Sequence, residues 1–179
     1  MINLRIGITG TPGTGKTITA KLLAKELKCE LIDLKKVVKK RGLLEGIEVD
    51  TKKLQKGLSS ILKTKKNFVI EGHLLCEMKT NLDILFVLRT TPKELRKRLK
   101  KRKYSGKKIE ENIMAELLDY CSIKSSKKYK KIIELDTGIR SIKKTIKKML
   151  KALGDKKQID KIDYTQELID YLNLKKSQT

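Results

Sequence analysis

The chain has 179 residues, of which 39% are hydrophobic and 36% are charged, and its formal net charge is +23. This length fits one compact domain with its own core, and no apolar run approaches the ~20 residues that a membrane-spanning helix requires. The low aromatic content of 4% argues against a surface on which single-stranded nucleic acid would stack.

The first predicted elements are a strand, a glycine-rich loop and a helix. Residues 4–9 form a short apolar strand pattern, residues 18–27 form a helical one, and the run between them reads GTPGTGKT. This run fits G-x-x-x-x-G-K-[ST], in which glycines let backbone N–H groups approach phosphate oxygens. Lys16 is expected to reach the β- and γ-phosphates, and the Thr17 hydroxyl is expected to bind Mg²⁺. The sequence therefore predicts a nucleoside triphosphate site.

Strand and helix patterns alternate along the rest of the chain, which predicts an α/β fold with a parallel sheet. The further strands are predicted at 30–32, 67–71, 82–88 and 131–135. The further helices are predicted at 33–41, 51–64, 91–101, 109–124 and 139–153, with a glycine-containing turn at 41–46. A polar break near residue 154 separates residues 1–154, the predicted P-loop domain, from a C-terminal helical extension at 155–179, with a weak amphipathic pattern at 159–173.

Five segments in this order resemble the adenylate kinase isoenzyme 6 family. They read GTPGTGKT at 10–17, IEGHL at 70–74, FVLRTTP at 86–92, RLKKRKY at 98–104 and KKIEENIMAEL at 107–117. The resemblance implies a P-loop NTPase fold with a five-stranded parallel sheet flanked by helices. It also implies binding of ATP, AMP and Mg²⁺, a monophosphate-binding region at about 33–51 and a lid at about 101–111. Members of this family also act in maturation of the small ribosomal subunit.

The resemblance implies roles for individual residues. The ATP-binding candidates are Gly13, Thr14, Gly15, Lys16, Thr17, Ile18 and Arg102. The AMP-binding candidates are Asp33 and Arg41, the metal-binding candidates are Thr17 and Glu71, and the catalytic candidates are Lys16, His73, Arg89 and Arg102. Ile18 and Glu71 depart from the family pattern, which commonly has Thr and Asp at these positions.

Several of these residues also have a purely structural interpretation. Glu71 ends a strand beside the loop strand, where it either holds a water of the Mg²⁺ shell or faces solvent. His73, the only histidine, either positions an attacking water or is structural. Arg98 and Arg102 share a helix face, and Arg98 either contacts phosphate or pairs within its helix. Asn112 and Glu116 also share a helix face and are expected to brace the lid.

The sequence therefore predicts an enzyme that transfers phosphate from ATP to AMP and also hydrolyses ATP slowly. An alternative is a ribosome-assembly ATPase that binds a small-subunit ribosomal protein of the platform and pre-rRNA. The charge would attract such polyanions, although a lysine-rich surface typical of an A+T-rich or thermophilic genome explains it equally well. A kinase for a small metabolite, such as shikimate, is a third alternative, but it expects more arginines at 33–60 than the single Arg41.

The sequence also supports expectations about the localisation and oligomeric state of the protein. The three cysteines, Cys29, Cys76 and Cys121, follow no metal-ligand spacing. An odd number of cysteines and a strand pattern that starts close to the N-terminus predict reduced thiols in a cytoplasmic protein. We expect a monomer or a weak homodimer with no membrane partner.

Overall fold

The computed structural model describes residues 4–40, 42, 44–45, 48–49, 51–154 and 160–176. Its strands are β1 (Arg5–Thr9), β2 (Glu30–Asp33), β3 (Leu44–Glu45), β4 (Glu48–Val49), β5 (Phe68–Glu71), β6 (Ile84–Arg89) and β7 (Ile132–Asp136). Its helices are α1 (Lys16–Glu26), α2 (Leu34–Lys40), α3 (Thr51–Leu62), α4 (Pro92–Lys101), α5 (Gly106–Leu117), α6 (Tyr120–Ser126), α7 (Ile142–Leu153) and α8 (Thr165–Lys176). A 3₁₀ helix covers His73–Glu77.

The main sheet has five parallel strands in the order β2-β5-β1-β6-β7. β1 lies at its centre, and the register pairs Ile8 with Glu71 on one side and with Phe86 on the other. Because all five strands run in the same direction, their carboxyl ends meet at one edge, where ligands bind in open α/β sheets. The glycine-rich loop follows β1 and therefore lies at the middle of this edge.

Both faces of the sheet are covered, as the near-continuous apolar strands require. On one face α1 and α7 contribute buried residues such as Leu23 and Met149 to a cluster with Ile8 and Phe86. On the other face α2 contributes Val38 and α3 contributes Leu58, which pack with Ile70 and Phe68. The two clusters fix the strand ends, and with them the loop, in a rigid frame.

A third apolar cluster joins α4 and α5 to the C-terminal segment. Its buried members are Leu95, Leu99, Ile109, Ile113, Leu117 and Tyr164. Capping hydroxyls start both helices, since the Thr91 and Ser105 side chains accept from the backbone N–H three residues on. The helix predicted at 91–101 is observed as Pro92–Lys101, whereas the helix predicted from residue 109 starts at Gly106.

The predicted five-stranded parallel sheet and P-loop fold are confirmed. The single long helix predicted at 109–124 is wrong, because α5 ends at Leu117 and α6 begins at Tyr120. Asp119 lies between them with a left-handed φ of 51°, a conformation that interrupts a right-handed helix but that Asp tolerates better than most residues. The break brings the Asp119 carboxylate to Arg89.

Other differences are smaller. The short hairpin of β3 and β4 and the 3₁₀ helix after β5 were not predicted. The C-terminal helix runs from Thr165 to Lys176, shifted from the predicted 159–173. Much of the predicted monophosphate-binding region, including Arg41, lies outside the described residues. Across the parts of the chain that are described, none of the helices has the length and apolar character needed to cross a membrane.

Candidate nucleotide site at the carboxyl edge of the sheet

The glycine-rich loop adopts a backbone that its glycines make accessible. Gly10, Gly13 and Gly15 have φ values of 137°, 100° and 94°, where L side chains are strained. A Cβ at Gly10 would also lie 2.2 Å from the carbonyl oxygen of Leu88. The Thr14 hydroxyl donates to the Thr11 carbonyl at 2.9 Å and closes the loop. This arrangement aims backbone N–H groups and the N-terminus of α1 at one point, which is suited to phosphate.

The Lys16 ammonium lies inside the curve of the loop. It donates to the carbonyl oxygens of Gly10 at 2.8 Å and Thr11 at 3.1 Å. Burial lowers the pKa of Lys16, and neighbouring groups that include Glu71 and Glu116 oppose this shift. An ammonium held at this loop by two backbone carbonyls fits a role in binding the terminal phosphates of a nucleotide.

Thr17 and Glu71, the two predicted metal-binding residues, lie next to each other. The Thr17 hydroxyl donates to Oε1 of Glu71 at 3.0 Å, and Glu71 is 5% exposed. Burial raises the pKa of Glu71, against the opposing effect of this hydrogen bond. Hydroxyl and carboxylate oxygens are the ligands that Mg²⁺ prefers, and phosphate and water commonly complete its shell. The donor set therefore fits Mg²⁺ bound together with a nucleotide.

His73 begins the 3₁₀ helix two residues after Glu71. The Thr9 hydroxyl lies within hydrogen-bond distance of the carbonyl oxygens of Gly72 at 3.0 Å and His73 at 3.2 Å, which fixes this turn to the end of β1. Burial lowers the pKa of His73, and the charge of Lys16 lowers it further. The imidazole is therefore neutral at pH 7 and lies near the phosphate loop.

Arg98 and Thr137 form a second wall of the loop. Arg98 donates to the Gly13 carbonyl at 3.4 Å and to the Thr137 carbonyl at 3.0 Å, and it pairs with Glu94 at 2.9 Å. The Thr137 hydroxyl lies 2.8 Å from the carbonyl oxygen of Thr14. Arg98 thus pairs within its helix, which is the structural alternative, and it also contacts the loop backbone. Its contact with phosphate stays a prediction. Thr137 was not singled out from the sequence, because nothing in its neighbourhood resembles a motif.

A cavity of about 540 Å³ opens beside the loop. Its lining includes the loop residues Gly13, Thr14 and Gly15 together with Ile18, Arg98, Arg102, Thr137 and Arg140. Ile18 is 55% exposed, so an apolar side chain faces this space where the family commonly has a hydroxyl. Arg102 is exposed at the C-terminal end of α4, at the start of the predicted lid. Arg140, like Thr137, was not predicted.

Arg89 ends β6 and is buried among hydrogen-bond acceptors of the protein. It is 2% exposed, and each of its five N–H donors has a protein acceptor. These acceptors are Glu116 Oε1 at 2.7 Å, Glu116 O at 2.9 Å, Asp119 Oδ1 at 2.5 Å, Ser122 Oγ at 3.1 Å and Glu134 Oε2 at 2.9 Å. With all five donors used, Arg89 has none for the transferred phosphate in this arrangement. These contacts give Arg89 a structural role at the end of β6, and its catalytic role stays a prediction.

Glu116 connects Arg89 to the loop. Its carboxylate accepts from Arg89 through Oε1 and from the Thr11 hydroxyl through Oε2, and the residue is 1% exposed. The sequence placed Glu116 with Asn112 as a brace of the lid. The structure instead places Glu116 under the phosphate loop, while the Asn112 side chain donates to the Lys108 carbonyl within α5.

Asp33 lies on the β2 side of the loop strand β1, opposite to Arg89 on β6. It ends β2 in register with Glu71, and its carboxylate accepts from the backbone N–H of Lys36 at 3.2 Å, near the start of α2. Arg41, its predicted partner in AMP binding, lies outside the described residues. The structure thus brings Lys16, Thr17, Glu71, His73 and Asp33 to one edge of the sheet, with Arg98 and Arg102 across the loop from them.

Solved structures of kinases share this fold. Shikimate kinase from Acinetobacter baumannii in complex with shikimate aligns with a TM-score of 0.66 and 19% identity over 87% of this chain and 96% of that chain. Deoxyadenosine kinase from M. mycoides with bound dATP aligns with a TM-score of 0.57 and 19% identity over 84% of this chain and 100% of that one. At this identity the likeness concerns the fold alone, which is that of a P-loop NTPase.

Sequence comparisons are more specific. The profile of the AAA domain family matches residues 6–119. Relatives named "Putative adenylate kinase" include one from Methanocaldococcus jannaschii, 36% identical over 96% of this chain and 98% of its own length. Another, from Pyrococcus furiosus, is 36% identical over 94% of this chain and 97% of its own length. The chain therefore belongs to the archaeal family that carries this name.

Proposed function

We propose that this nucleotide kinase transfers the γ-phosphate of ATP to AMP and so forms two molecules of ADP. The observation that carries the proposal is the Thr17–Glu71 contact at 3.0 Å, directly beside the Lys16 ammonium. It puts a phosphate-binding loop and a pair of oxygen ligands for Mg²⁺ at the same point of the sheet edge. The name of the relatives supports AMP as the acceptor.

On the ATP side, the loop binds the phosphates of the nucleotide and the adjoining cavity binds its nucleoside. The backbone N–H groups of the loop and the Lys16 ammonium bind the β- and γ-phosphates and stabilise the charge that develops during transfer. The cavity lined by Ile18, Arg102 and Thr137 takes the nucleoside. Ile18 packs against the nucleoside without donating to the α-phosphate, since its side chain has no hydroxyl.

Thr17 and Glu71 hold Mg²⁺, Thr17 through its hydroxyl and Glu71 directly or through a water. When bound, the ion neutralises charge on the β- and γ-phosphate oxygens. The mutual hydrogen bond of the two side chains keeps both oxygens at the loop before any ligand arrives. Preorganisation of this kind lowers the reorganisation needed for catalysis.

On the acceptor side, Asp33 and Arg41 bind AMP, and the monophosphate-binding region covers about residues 33–51. His73 lies between the two nucleotides, where its neutral imidazole hydrogen-bonds to the acceptor phosphate or to a water. A water in place of AMP would give the slow ATP hydrolysis expected as a second activity.

Arg98 and Arg102 act on the transferred phosphoryl group from α4. Planar guanidinium groups are well suited to bind its equatorial oxygens. Arg102 stands at the start of the lid at about 101–111, so lid closure would bring its charge over the phosphates and exclude water. In-line positioning and charge stabilisation supply the catalysis, and no covalent intermediate is required.

An acceptor panel tests the substrate assignment. Purified protein with ATP and Mg²⁺ should form ADP at a rate that AMP increases strongly, whereas shikimate, the ligand of a protein that shares only the fold, should not increase it. Rate enhancement by shikimate with no response to AMP would overturn the assignment. A loss of activity on chelation of divalent ions, restored by Mg²⁺, would test the metal assignment separately.

The net charge of +23 favours a second candidate function. It supports an assembly ATPase in the cytoplasm that binds pre-rRNA and a small-subunit ribosomal protein of the platform. Binding of this kind weakens steeply as the salt concentration rises. A pull-down that recovers no small-subunit ribosomal protein, together with no salt-sensitive binding to rRNA, would contradict this role.

A further inference from the structure

We propose that Asp160 is a positioning residue of the ATP site and acts through Arg140. This inference rests on the proposed nucleotide site and assigns a role to the C-terminal segment beyond α7. Asp160 itself does not line the cavity, whereas Arg140 does. The contact between them therefore links the segment to the space proposed for the nucleoside.

The Asp160 carboxylate is held by four donors. Arg140 binds it with both terminal nitrogens, through Nη1 to Oδ2 and through Nη2 to Oδ1 at 2.8 Å. Lys148 donates to Oδ1, and the backbone N–H of Asp136 donates to Oδ2 at 2.9 Å. Burial alone would raise the pKa of Asp160, but hydrogen bonds from Arg140 and Lys148 lower it to about 2. The group is therefore a carboxylate at neutral pH.

The bidentate pair fixes the plane of the Arg140 guanidinium. Arg140 has a side chain only 14% exposed, so its position depends on the groups around it. A flexible arginine at the wall of a nucleotide cavity loses side-chain entropy when it binds. An arginine already held by Asp160 loses less, and ATP affinity rises accordingly.

The segment that carries Asp160 is anchored independently. The Tyr164 ring is 6% exposed and lies 5.2 Å from the Arg89 guanidinium. Tyr171 donates to Glu110 Oε2 at 2.8 Å, which joins α8 to α5. These contacts hold residues 160–176 against the same helices that support the phosphate loop, so Asp160 is placed by packing and not by its ion pairs alone.

The test compares nucleotide binding by the full chain and its Asp160→Asn variant, measured by calorimetry with ATP and Mg²⁺ and separately with AMP. The substitution keeps the shape and removes the charge. We expect the Kd for ATP to rise about tenfold, as for the loss of one charged contact, while the Kd for AMP stays unchanged. Asp163→Asn, three residues away and exposed, is the matched control and should bind ATP like the wild type.

Several results would overturn the inference. An unchanged Kd for ATP would do so, as would an equal loss of ATP and AMP affinity, which indicates a general structural role. In an Arg140→Ala background, Asp160→Asn should have no further effect on ATP binding, and a further loss would show that it acts by another route. If Asp160→Asn does not fold, Arg140→Gln tests the same contact, and an unchanged Kd for ATP would again overturn it.

The proposed function and this inference can fail separately. A wild-type chain that binds ATP but not AMP would contradict transfer to AMP and leave the Asp160 comparison intact. A wild-type chain that binds neither nucleotide would overturn both.

Discussion

At the residue scale, Arg89 shows how one buried charge organises the edge of the sheet. Its guanidinium joins β6 to α5, α6 and β7 through the carboxylates of Glu116, Asp119 and Glu134. Burial alone would lower the pKa of Arg89, but Glu116 and Asp119 raise it above its ordinary value overall. Glu116 then carries the connection to Thr11 in the phosphate loop. The charged Arg89 guanidinium therefore has a structural role, since Glu116 contacts both Arg89 and the phosphate loop.

We predict that Glu116→Gln lowers the free energy of unfolding by about 3 kcal/mol, because it leaves Arg89 buried with one charge fewer opposite it. Chemical denaturation measures this difference. The control is Glu30→Gln, which breaks the ion pair between Glu30 and Lys65. Because the Glu30 side chain is 50% exposed, this substitution should lower the free energy of unfolding by less than about 1 kcal/mol. Equal losses in the two variants would contradict the structural role of Arg89.

Gly10 is a second position where a single residue determines the loop. We predict that Gly10→Ala destabilises the fold by about 3 kcal/mol or more, because a left-handed φ adds to a clash with the Leu88 carbonyl. Thermal unfolding measures the loss. Gly106→Ala should be neutral or stabilising, since a Cβ there meets nothing within 4 Å and the residue begins a helix.

At the element scale, the sequence predicted every strand of the main sheet and the order of most helices. Apolar runs and capping residues are local signals, so the strand at 84–89 and the capped start of α4 could be found without tertiary information. The break between α5 and α6 could not, because Asp119 adopts its left-handed φ where a distant residue, Arg89, binds its carboxylate.

The residues of the candidate site also divide into those with a local sequence signal and those without one. Lys16 and Thr17 belong to a local motif, and Glu71 was found because it ends a strand next to the loop strand. Thr137 and Arg140 were missed, since each lies more than a hundred residues from the loop in the sequence and meets it only in the folded chain. Arg89 was singled out from the sequence, but its structural role was not, because the sequence does not show that three carboxylates converge on it.

The C-terminal segment gives a prediction at this scale. Tyr164→Phe should leave the free energy of unfolding within about 0.5 kcal/mol of the wild type, because the buried hydroxyl has no hydrogen-bond partner in the described structure and its removal costs little. Tyr164→Leu removes the ring under Arg89 and should cost about 2 kcal/mol. Denaturant titrations compare the two variants. A larger loss for Phe than for Leu would mean that the ring is not what anchors the segment.

At the scale of the whole molecule, Asp160 contributes to acid stability. Its pKa of about 2 lies below the ordinary value of 3.8, so the folded state favours the carboxylate. The stabilisation is present above the ordinary pKa and is lost as the pH falls through the folded pKa. We predict that the stability difference between the wild type and Asp160→Asn, about 2 kcal/mol near neutral pH, disappears between about pH 5 and about pH 2. Urea unfolding at several pH values measures it, and a difference independent of pH would contradict the assignment.

For the whole molecule, we propose that one site both binds ATP and transfers its γ-phosphate to AMP. The most direct measurement is ADP formation from ATP and Mg²⁺, with and without AMP, by the wild type, Lys16→Ala and the exposed control Lys25→Ala on the same helix. We predict a large AMP-dependent rate that Lys16→Ala abolishes and Lys25→Ala retains, because Lys16, unlike Lys25, donates to the backbone of the phosphate loop. A low rate that does not respond to AMP, or a rate that Lys16→Ala leaves intact, would contradict it.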